Sequence, residues 1–504
     1  MNFLDRAIAA VAPRIGADRA RARLSIMHYD AATVGRRGAS WRSRGTDADA
    51  AGSKRERMSF VSRDMVRNNP FALSGQQVIV NNTVGDGIIP KITCSEGMVG
   101  SEDLRKRGLK LIEDFIDTTC IDALGRQNLY GLQRLAMNCI VDAGEVLILR
   151  EFKNAPRGKK TFNLRLRVIE PDYLDDLQDR AFADGGYIRN GIEYDKTGQR
   201  TAYHLYDEHP GAEWFRGVGW NSKSRRVPAA DVLHIFRQDR PGQQRGVTWF
   251  APITLALQDL GEYQDAQQMR QKVAACFSAF HRRSTARGEG ETQLEGLGGT
   301  LGPGLIQEIA SDEEITFANP PDVGGYDQVM RQGLLSIAAG LGITYEEFVG
   351  DLLNVNFSSG RMGRMKMDRN VSSWQWLMLI PQMMNPIGTW IKEEWALCDA
   401  EHMHQIMACS FNWVPPHRML VDPAREIPAL NAAVRAGFES RQGVVRKLGH
   451  DPERLLEEQS EDAKNAAAAG LMFDSDAAAV SSAGVVQPNT PEDEAETKDS
   501  KNDE

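Results

Sequence analysis

After Pro252 the chain reaches Pro303 before it meets another proline, and over Ala251–Phe280 apolar side chains recur at spacings of three and four. Ile253, Leu257, Leu260, Tyr263, Ala266, Met269, Val273, Cys276 and Phe280 fall on one stripe, the pattern of an amphipathic helix. At a rise of roughly 1.5 Å per residue, a helix over that span reaches about 45 Å. This is a strut, longer than a compact domain accommodates. A chain of 504 residues also exceeds what one core organises, so about two to four domains are expected.

The pattern changes on either side of the strut. Residues 1–67 are rich in arginine (Arg14, Arg19, Arg21, Arg23, Arg36, Arg37, Arg42, Arg44), with a Gly/Ala/Ser connector around Gly38–Gly52. This is either a basic arm that touches nucleic acid or an acidic partner, or a solvated extension. Helical patterning starts at Met58 and is interrupted at Asn69-Pro70; a second helix is predicted over Leu104–Thr118. Between residues 140 and 240 the period drops to two. Val146 and Ile148, the run Phe162–Val168, Thr201–Tyr206 and Val232–Phe236 read as strands, with turns at Gly185-Gly186 and Asn190-Gly191.

Beyond the strut, glycine-rich sequence over Gly288–Gly304 ends the helix, and Gln307–Phe317 reads as strand around a turn at Ser311-Asp312. Tyr326–Leu341 reads as a helix stopped by Gly342, and Asp351–Gly360 as a loop. Arg361–Trp395 is helical with breaks expected at Pro381 and Pro386, and helical pattern returns over Asp422–Glu461. Trp374, Trp376 and Trp390 on that stretch favour core or subunit-interface packing over base stacking, because duplex DNA exposes no base faces. The C-terminal PEDEAETKDSKNDE is acidic and expected to be disordered.

The chemistry of catalysis is not visible. No G-x-x-x-x-G-K-[ST] phosphate cradle and no G-x-S-x-G elbow occur, and no acidic pair is marked out by a motif. The six cysteines are scattered without a C-x-x-C pair, which predicts buried free thiols rather than zinc ligation or a disulfide framework. His402 and His404 lack an acid or cysteine to complete a ligand set, so no metal and no cofactor is expected. A net charge of −9 argues against a broad basic surface that grips nucleic acid. No run approaches the roughly 20 apolar residues of a membrane-spanning helix, and no secretion signal is evident, so the chain is expected to be soluble and intracellular, without a membrane partner.

Several stretches share a family likeness: SRDMVRNNPFALSGQQVIVNNTVGDGIIP (Ser62–Pro90), DAGEVLI (Asp142–Ile148), VIEPDYL (Val168–Leu174), VLHIFRQDRPGQQRGVTWFAP (Val232–Pro252), YQDAQQMRQKVAACFSAF (Tyr263–Phe280), FANPP (Phe317–Pro321) and IAAGLGITYEEFVGDLLNVNFSSGR (Ile337–Arg361). In this order they resemble the lambda-type portal proteins of tailed phages, from about Tyr29 to about Glu461. The resemblance implies an α+β portal fold with long stem helices, a mixed α/β wing, a β-containing clip, a helical crown and a tunnel loop. Mapped onto this chain it predicts a basic flexible arm (1–57), the first part of the wing (58–169), the clip with adjoining stem and wing (170–247) and the stem helix (248–283). The rest is then second wing part (284–349), tunnel loop (350–361), tunnel or wing helix (362–399), crown (400–464) and acidic tail (465–504).

It further implies a homo-oligomeric ring, usually of about twelve subunits, at one capsid vertex of a virion assembled in the host bacterial cytoplasm. Double-stranded DNA would pass through it. The terminase large subunit, the major capsid protein and a head-completion or adaptor protein would be its partners, and the packaging ATPase would be a separate protein. A sliding duplex cannot be held tightly, since every cationic contact adds affinity that motion must undo. Asn354, Asn356, Ser358 and Ser359 offer short neutral hydrogen-bonding groups for that task, and Arg361 and Arg364 a ring of charge repeated by symmetry. Alternatively these residues belong to a solvated loop whose arginines pair with nearby acids. Two other functions compete: another minor capsid or connector protein, and a DNA-processing enzyme, for which a metal-binding acidic cluster would be needed.

Overall fold

The computed structural model describes residue 48 and residues 54–94, 101–153, 162–212, 223–275, 279–283, 313–317, 325–353, 357–416, 422–449 and 452–471. Two helices open the described chain, α1 (Arg55–Asn68) and α2 (Pro70–Thr83). The interruption read at Asn69-Pro70 is a cap: Asn69 Oδ1 accepts from the N–H groups of Phe71 and Ala72, and Pro70 occupies the first helical turn where no donor is missed. Strand β1 (Ile89–Thr93) and helix α3 (Ser101–Ile116) follow, then α4 (Leu129–Ala143), capped by Asn128 Oδ1 on Gly131 N–H.

Strand β2 (Glu145–Phe152) is the centre of a three-stranded antiparallel sheet, flanked by β3 (Leu164–Ile169) and β9 (Val232–Phe236). Both of its faces are buried. Val146 and Ile148 belong to the large core shared with α2, α4 and the helices within residues 326–398, whereas Leu147 and Leu149 belong to a second core. Because successive side chains of a strand point to opposite faces, this one strand is the wall between two hydrophobic interiors. The second core is roofed by a five-stranded antiparallel meander: β4 (Arg180–Ala181), β5 (Tyr187–Arg189), β6 (Ile192–Tyr194), β7 (Arg200–Leu205) and β8 (Arg225–Pro228). The predicted Asn190-Gly191 turn joins β5 to β6 with both residues at positive φ, 49° and 76°.

Helix α5 (Thr254–Ala275) is the predicted strut, but it has 22 residues, so about 33 Å. The expected helix overran its end: Ala279–Arg283 is strand β10, paired antiparallel with β11 (Glu313–Phe317). The ladder's register sets Arg282 opposite Glu314 and Arg283 opposite Glu313, and backbone pairing overrides the helical spacing of Phe280. Next come α6 (Tyr326–Leu341), ended as predicted by Gly342 at φ 75°, and α7 (Tyr345–Val349).

Helix α8 (Phe357–Trp374) starts inside the predicted loop, because Ser and Gly are well tolerated in a first helical turn. It passes into a π-helical segment, Gln375–Met384, and then α9 (Asn385–Cys398). The prolines therefore do not break the run. Pro386 sits in the first turn of α9, and Pro381 lies in the wider π winding, which relieves the pressure of its ring on the preceding turn. Gln375 Nε2 donates to Thr83 O at 2.9 Å and Gln382 Oε1 accepts from Phe236 N at 3.0 Å, pinning the segment to α2 and β9.

The predicted crown begins with helix α10 (Met403–Ala408) and strand β12 (Ser410–Val414), which pairs with β1. The described C-terminal helices are α11 (Pro423–Arg435), α12 (Arg441–Lys447) and α13 (Pro452–Ala469). At the end of the β1–β12 ribbon Cys94 and Cys409 are joined by a disulfide, which corrects the expectation of free thiols for these two; Cys120 and Cys139 keep theirs. A pair 315 residues apart leaves no local spacing to read. Asp239–Gln244 is a turn in which Gln243 Oε1 accepts from the N–H groups of Asp239 and Arg240.

Gly144 ends α4 at φ 92°, and a Cβ there would lie 2.3 Å from the Val247 carbonyl carbon. Gly198, at φ 81°, has open space around it. Gly144→Ala is expected to lose at least about 2 kcal/mol of unfolding free energy and Gly198→Ala about 1 kcal/mol, read from urea denaturation midpoints. Equal midpoints for the two variants would contradict the close approach at Gly144.

Candidate functional site

The close approach at Gly144 brings together two of the family-like segments, DAGEVLI and the RPGQQRG stretch. Glu145, fully buried, accepts from Arg245 Nε at 2.7 Å and Nη2 at 2.6 Å, from Gly246 N–H at 2.6 Å, and from His234 Nε2 at 2.9 Å. Arg245 also reaches the Asn190 carbonyl at 3.4 Å, so the node holds the β5–β6 turn. Helix α1 docks on the same place: Arg55 Nε donates to Gly246 O at 3.1 Å, Ser59 Oγ to Ala143 O at 3.2 Å, and Ser62 Oγ lies 2.9 Å from Thr248 Oγ1. Burial works to raise the Glu145 pKa, but Arg245 and His234 overcome it and hold the carboxyl well below its ordinary range. Burial lowers the His234 pKa, opposed by its hydrogen bond to the Glu145 carboxylate. Glu145 and Arg245 also line a cavity of about 510 Å³ with Arg55, Asp172 and His209, and the carboxylate, engaged by Arg245, His234 and Gly246, ties β2 to β9 and to the segment before α5. Sequence reasoning missed it, because nothing but the segments' joint likeness marks Glu145, His234 and Arg245.

A second charged group sits where α1 meets the start of the meander. Arg63 Nη2 donates to Asp172 Oδ2 at 2.6 Å and its Nε lies 3.7 Å from Glu170, while His209 Nε2 is 3.2 Å from Glu170. Among the described residues Glu170, Asp172 and His209 form the one acid–histidine cluster compact enough to hold a cation. The Arg63 guanidinium already supplies the positive charge between its two carboxylates, so the arrangement is complete as an ion network. Nearby, burial, partly offset by Arg63, pushes the Asp142 carboxyl up to about 7. His402 is not in a metal set either: its Nδ1 is 2.8 Å from Asp399 Oδ1, in a 3-10 turn rather than a strand.

The sequence-predicted site residues fall in three classes. Asn354 and Asn356 lie outside the described residues. Ser358 and Ser359 stand in the first turn of α8, Ser359 exposed, which corrects their expected placement in a loop. Arg361 and Arg364 follow on the same helix, and among the described residues neither has a carboxylate at ion-pair distance. Both line one groove of about 940 Å³ between α8, β12, α11 and α12, together with Trp376, Trp413 and Arg446. Of the three helical tryptophans, Trp374 and Trp390 are buried, Trp374 against Trp249 at 4.9 Å, while Trp376 is 54% exposed on the groove. Among the described residues no helix is long and apolar enough to cross a membrane.

Helices α1 and α2, the β3-β2-β9 sheet, α5, α6, α7 and the start of α8 carry the segments whose likeness was noted in the sequence. The family model described as "Phage portal protein, lambda family" matches residues 34–375, and the chain belongs to that family. Its curated relatives include the probable portal protein of Halomonas phage phiHAP-1, 23% identical over 445 residues, covering 84% of this chain and 83% of the relative. Portal protein B of Escherichia phage lambda is 21% identical over 493 residues, covering 86% and 88%. Among solved structures, a chain from the neck of a native gene transfer agent particle, computed with C12 symmetry, is 13% identical with a TM-score of 0.45, covering 78% of this chain and 94% of that one. An HK97-family phage portal protein from Corynebacterium diphtheriae is 10% identical with a TM-score of 0.33, covering 73% and 98%.

Glu145→Gln leaves the Arg245 charge buried without its partner, and is expected to cost about 3–5 kcal/mol. Adding Arg245→Met should recover part of that loss, so a double-mutant cycle in urea should give a coupling above about 1 kcal/mol. Losses that add independently would contradict the node.

Proposed function

We propose that this chain is the subunit of a portal ring of about twelve copies at one vertex of a phage-type capsid, through which double-stranded DNA is packaged and ejected. The observation that carries this is membership of the lambda portal family over residues 34–375, which spans the sheet, the meander, α5 and α8. On this reading the protein is a structural part of the virion, not an enzyme, assembled in the bacterial cytoplasm. It meets the major capsid protein, the terminase large subunit and a head-completion or adaptor protein.

The parts of the chain suit the parts of such a ring. Helix α5 packs Leu257, Leu260 and Tyr263 on the core but leaves Ala266 exposed and Met269 61% exposed, so the far end of its apolar stripe awaits a neighbour, as a stem helix in a closed ring would. The β4–β8 meander has its own small core and would form the clip, while the β3-β2-β9 sheet and its helices would be the wing. The crown, residues 400–464, would comprise α10, β12, α11, α12 and most of α13.

The tunnel loop expected over residues 350–361 would run into the first turn of α8, with Asn354, Asn356, Ser358 and Ser359 meeting phosphates through water and Arg361 and Arg364 of α8 supplying weak attraction to a sliding duplex. Arg361→Glu, or deletion of residues 354–359, is expected to reduce DNA packaging at least about tenfold in an in vitro packaging assay while rings still form. Wild-type packaging in both variants would remove the DNA-facing assignment.

A further inference from the structure

The groove that holds Arg361 and Arg364 is unlike a surface made only for DNA. Its rim carries Arg361, Arg364 and Arg446, none of which has a carboxylate at ion-pair distance among the described residues. Its floor is apolar, with Trp376, Trp413 and Leu430, and Trp376 is 54% exposed there although tryptophan is normally covered. Asp368 and Glu426 also line the groove, leaving cations in excess. A phosphate backbone would satisfy the rim and leave the floor bare. The occupant that fits has apolar side chains followed closely by acids.

The chain contains such a segment beyond the last described residue, Leu471. It reads Val485-Val486-Gln487-Pro488-Asn489-Thr490-Pro491-Glu492-Asp493-Glu494, and Glu496 continues the acidic run. We infer that this C-terminal segment seats in the groove, with Val485, Val486 and Pro488 on the tryptophan floor and Glu492–Glu494 against the three arginines. Reach is no obstacle. Helix α12 ends at Lys447 in the groove wall, and α13 starts at Pro452, with 18 residues and a length of about 27 Å. The stretch from Leu471 to Glu492 can span up to roughly 70 Å, more than enough to return along α13.

The segment would neutralise the arginines and cover the exposed tryptophan, a combination neither a simple anion nor a purely apolar peptide provides. Exposed charge pairs of this kind are screened by salt, with a Debye length of about 3 Å at 1 M, so the seating should be strongly salt-dependent.

Lys447 in the groove wall supplies the test, because a zero-length carbodiimide joins an amine only to a carboxylate in direct contact. Treating the full-length protein with carbodiimide and mapping the products by mass spectrometry should give links from Lys447 to Glu492, Asp493, Glu494 or Glu496. Their yield should fall at least about fivefold in 1 M NaCl and in the full-length Arg361→Glu/Arg364→Glu variant, whereas the link from Lys447 to its own neighbour Glu439, 2.6 Å away, should persist in the variant as the check that α12 is folded. Tail links absent from Lys447, or spread over surface lysines regardless of the arginines, would overturn the inference. The DNA-facing assignment is independent: tail links that behave as expected alongside normal packaging by Arg361→Glu would remove that assignment alone.

Discussion

The buried carboxylate of Glu145 is the point on which the described fold turns. A charge without water is costly unless donors surround it, and here Arg245, His234 and the Gly246 N–H all converge on it. The acid and its donors come from three stretches of chain: β2 contributes Glu145, β9 His234 and the segment leading to α5 both Arg245 and Gly246, while Arg245 also holds the meander turn at Asn190 and Arg55 of α1 docks on Gly246. Such an ion cluster contributes less net stability than a hydrophobic replacement would, but it tolerates few alternative arrangements.

The node also explains why β2 can separate two cores. Glu145, Leu147 and Leu149 share one face of the strand, and the acid stands at the end of that face where apolar packing gives way to polar contacts. On the other face Val146 and Ile148 enter the large interior with α4, α6, α8 and α9. From this centre lead α5, whose apolar stripe is covered over Leu257, Leu260 and Tyr263 and bare at Met269, the β4–β8 meander, and α8 with its arginines.

Much of the architecture was legible where punctuation is local. Asn69-Pro70, Asn190-Gly191 and Gly342 each mark a boundary because capping, a left-handed turn and helix termination depend on a few neighbouring residues. Where the outcome depends on distant chain, spacing misled. Phe280 continues a helical stripe yet lies in β10, because the strand at Glu313–Phe317 pairs with it; Pro381 looked like a break yet is absorbed by π winding; Cys94 found Cys409 across the β1–β12 ribbon. Of the candidate site, the sequence pointed to Arg361 and Arg364, and the structure places them in one groove. It gave no sign of the tryptophan floor beside them, nor of the Glu145 node, since both are assembled from segments far apart in sequence.

The account stands on many copies of this chain closing side by side around an opening, with α5 buried between neighbours. Native mass spectrometry of the purified full-length protein, with electron microscopy of the same sample, tests that most directly. A closed annulus with a central hole and a mass of about twelve chains of 55.9 kDa is the predicted result. A stable monomer that never closes into a ring across protein concentration and salt would contradict it.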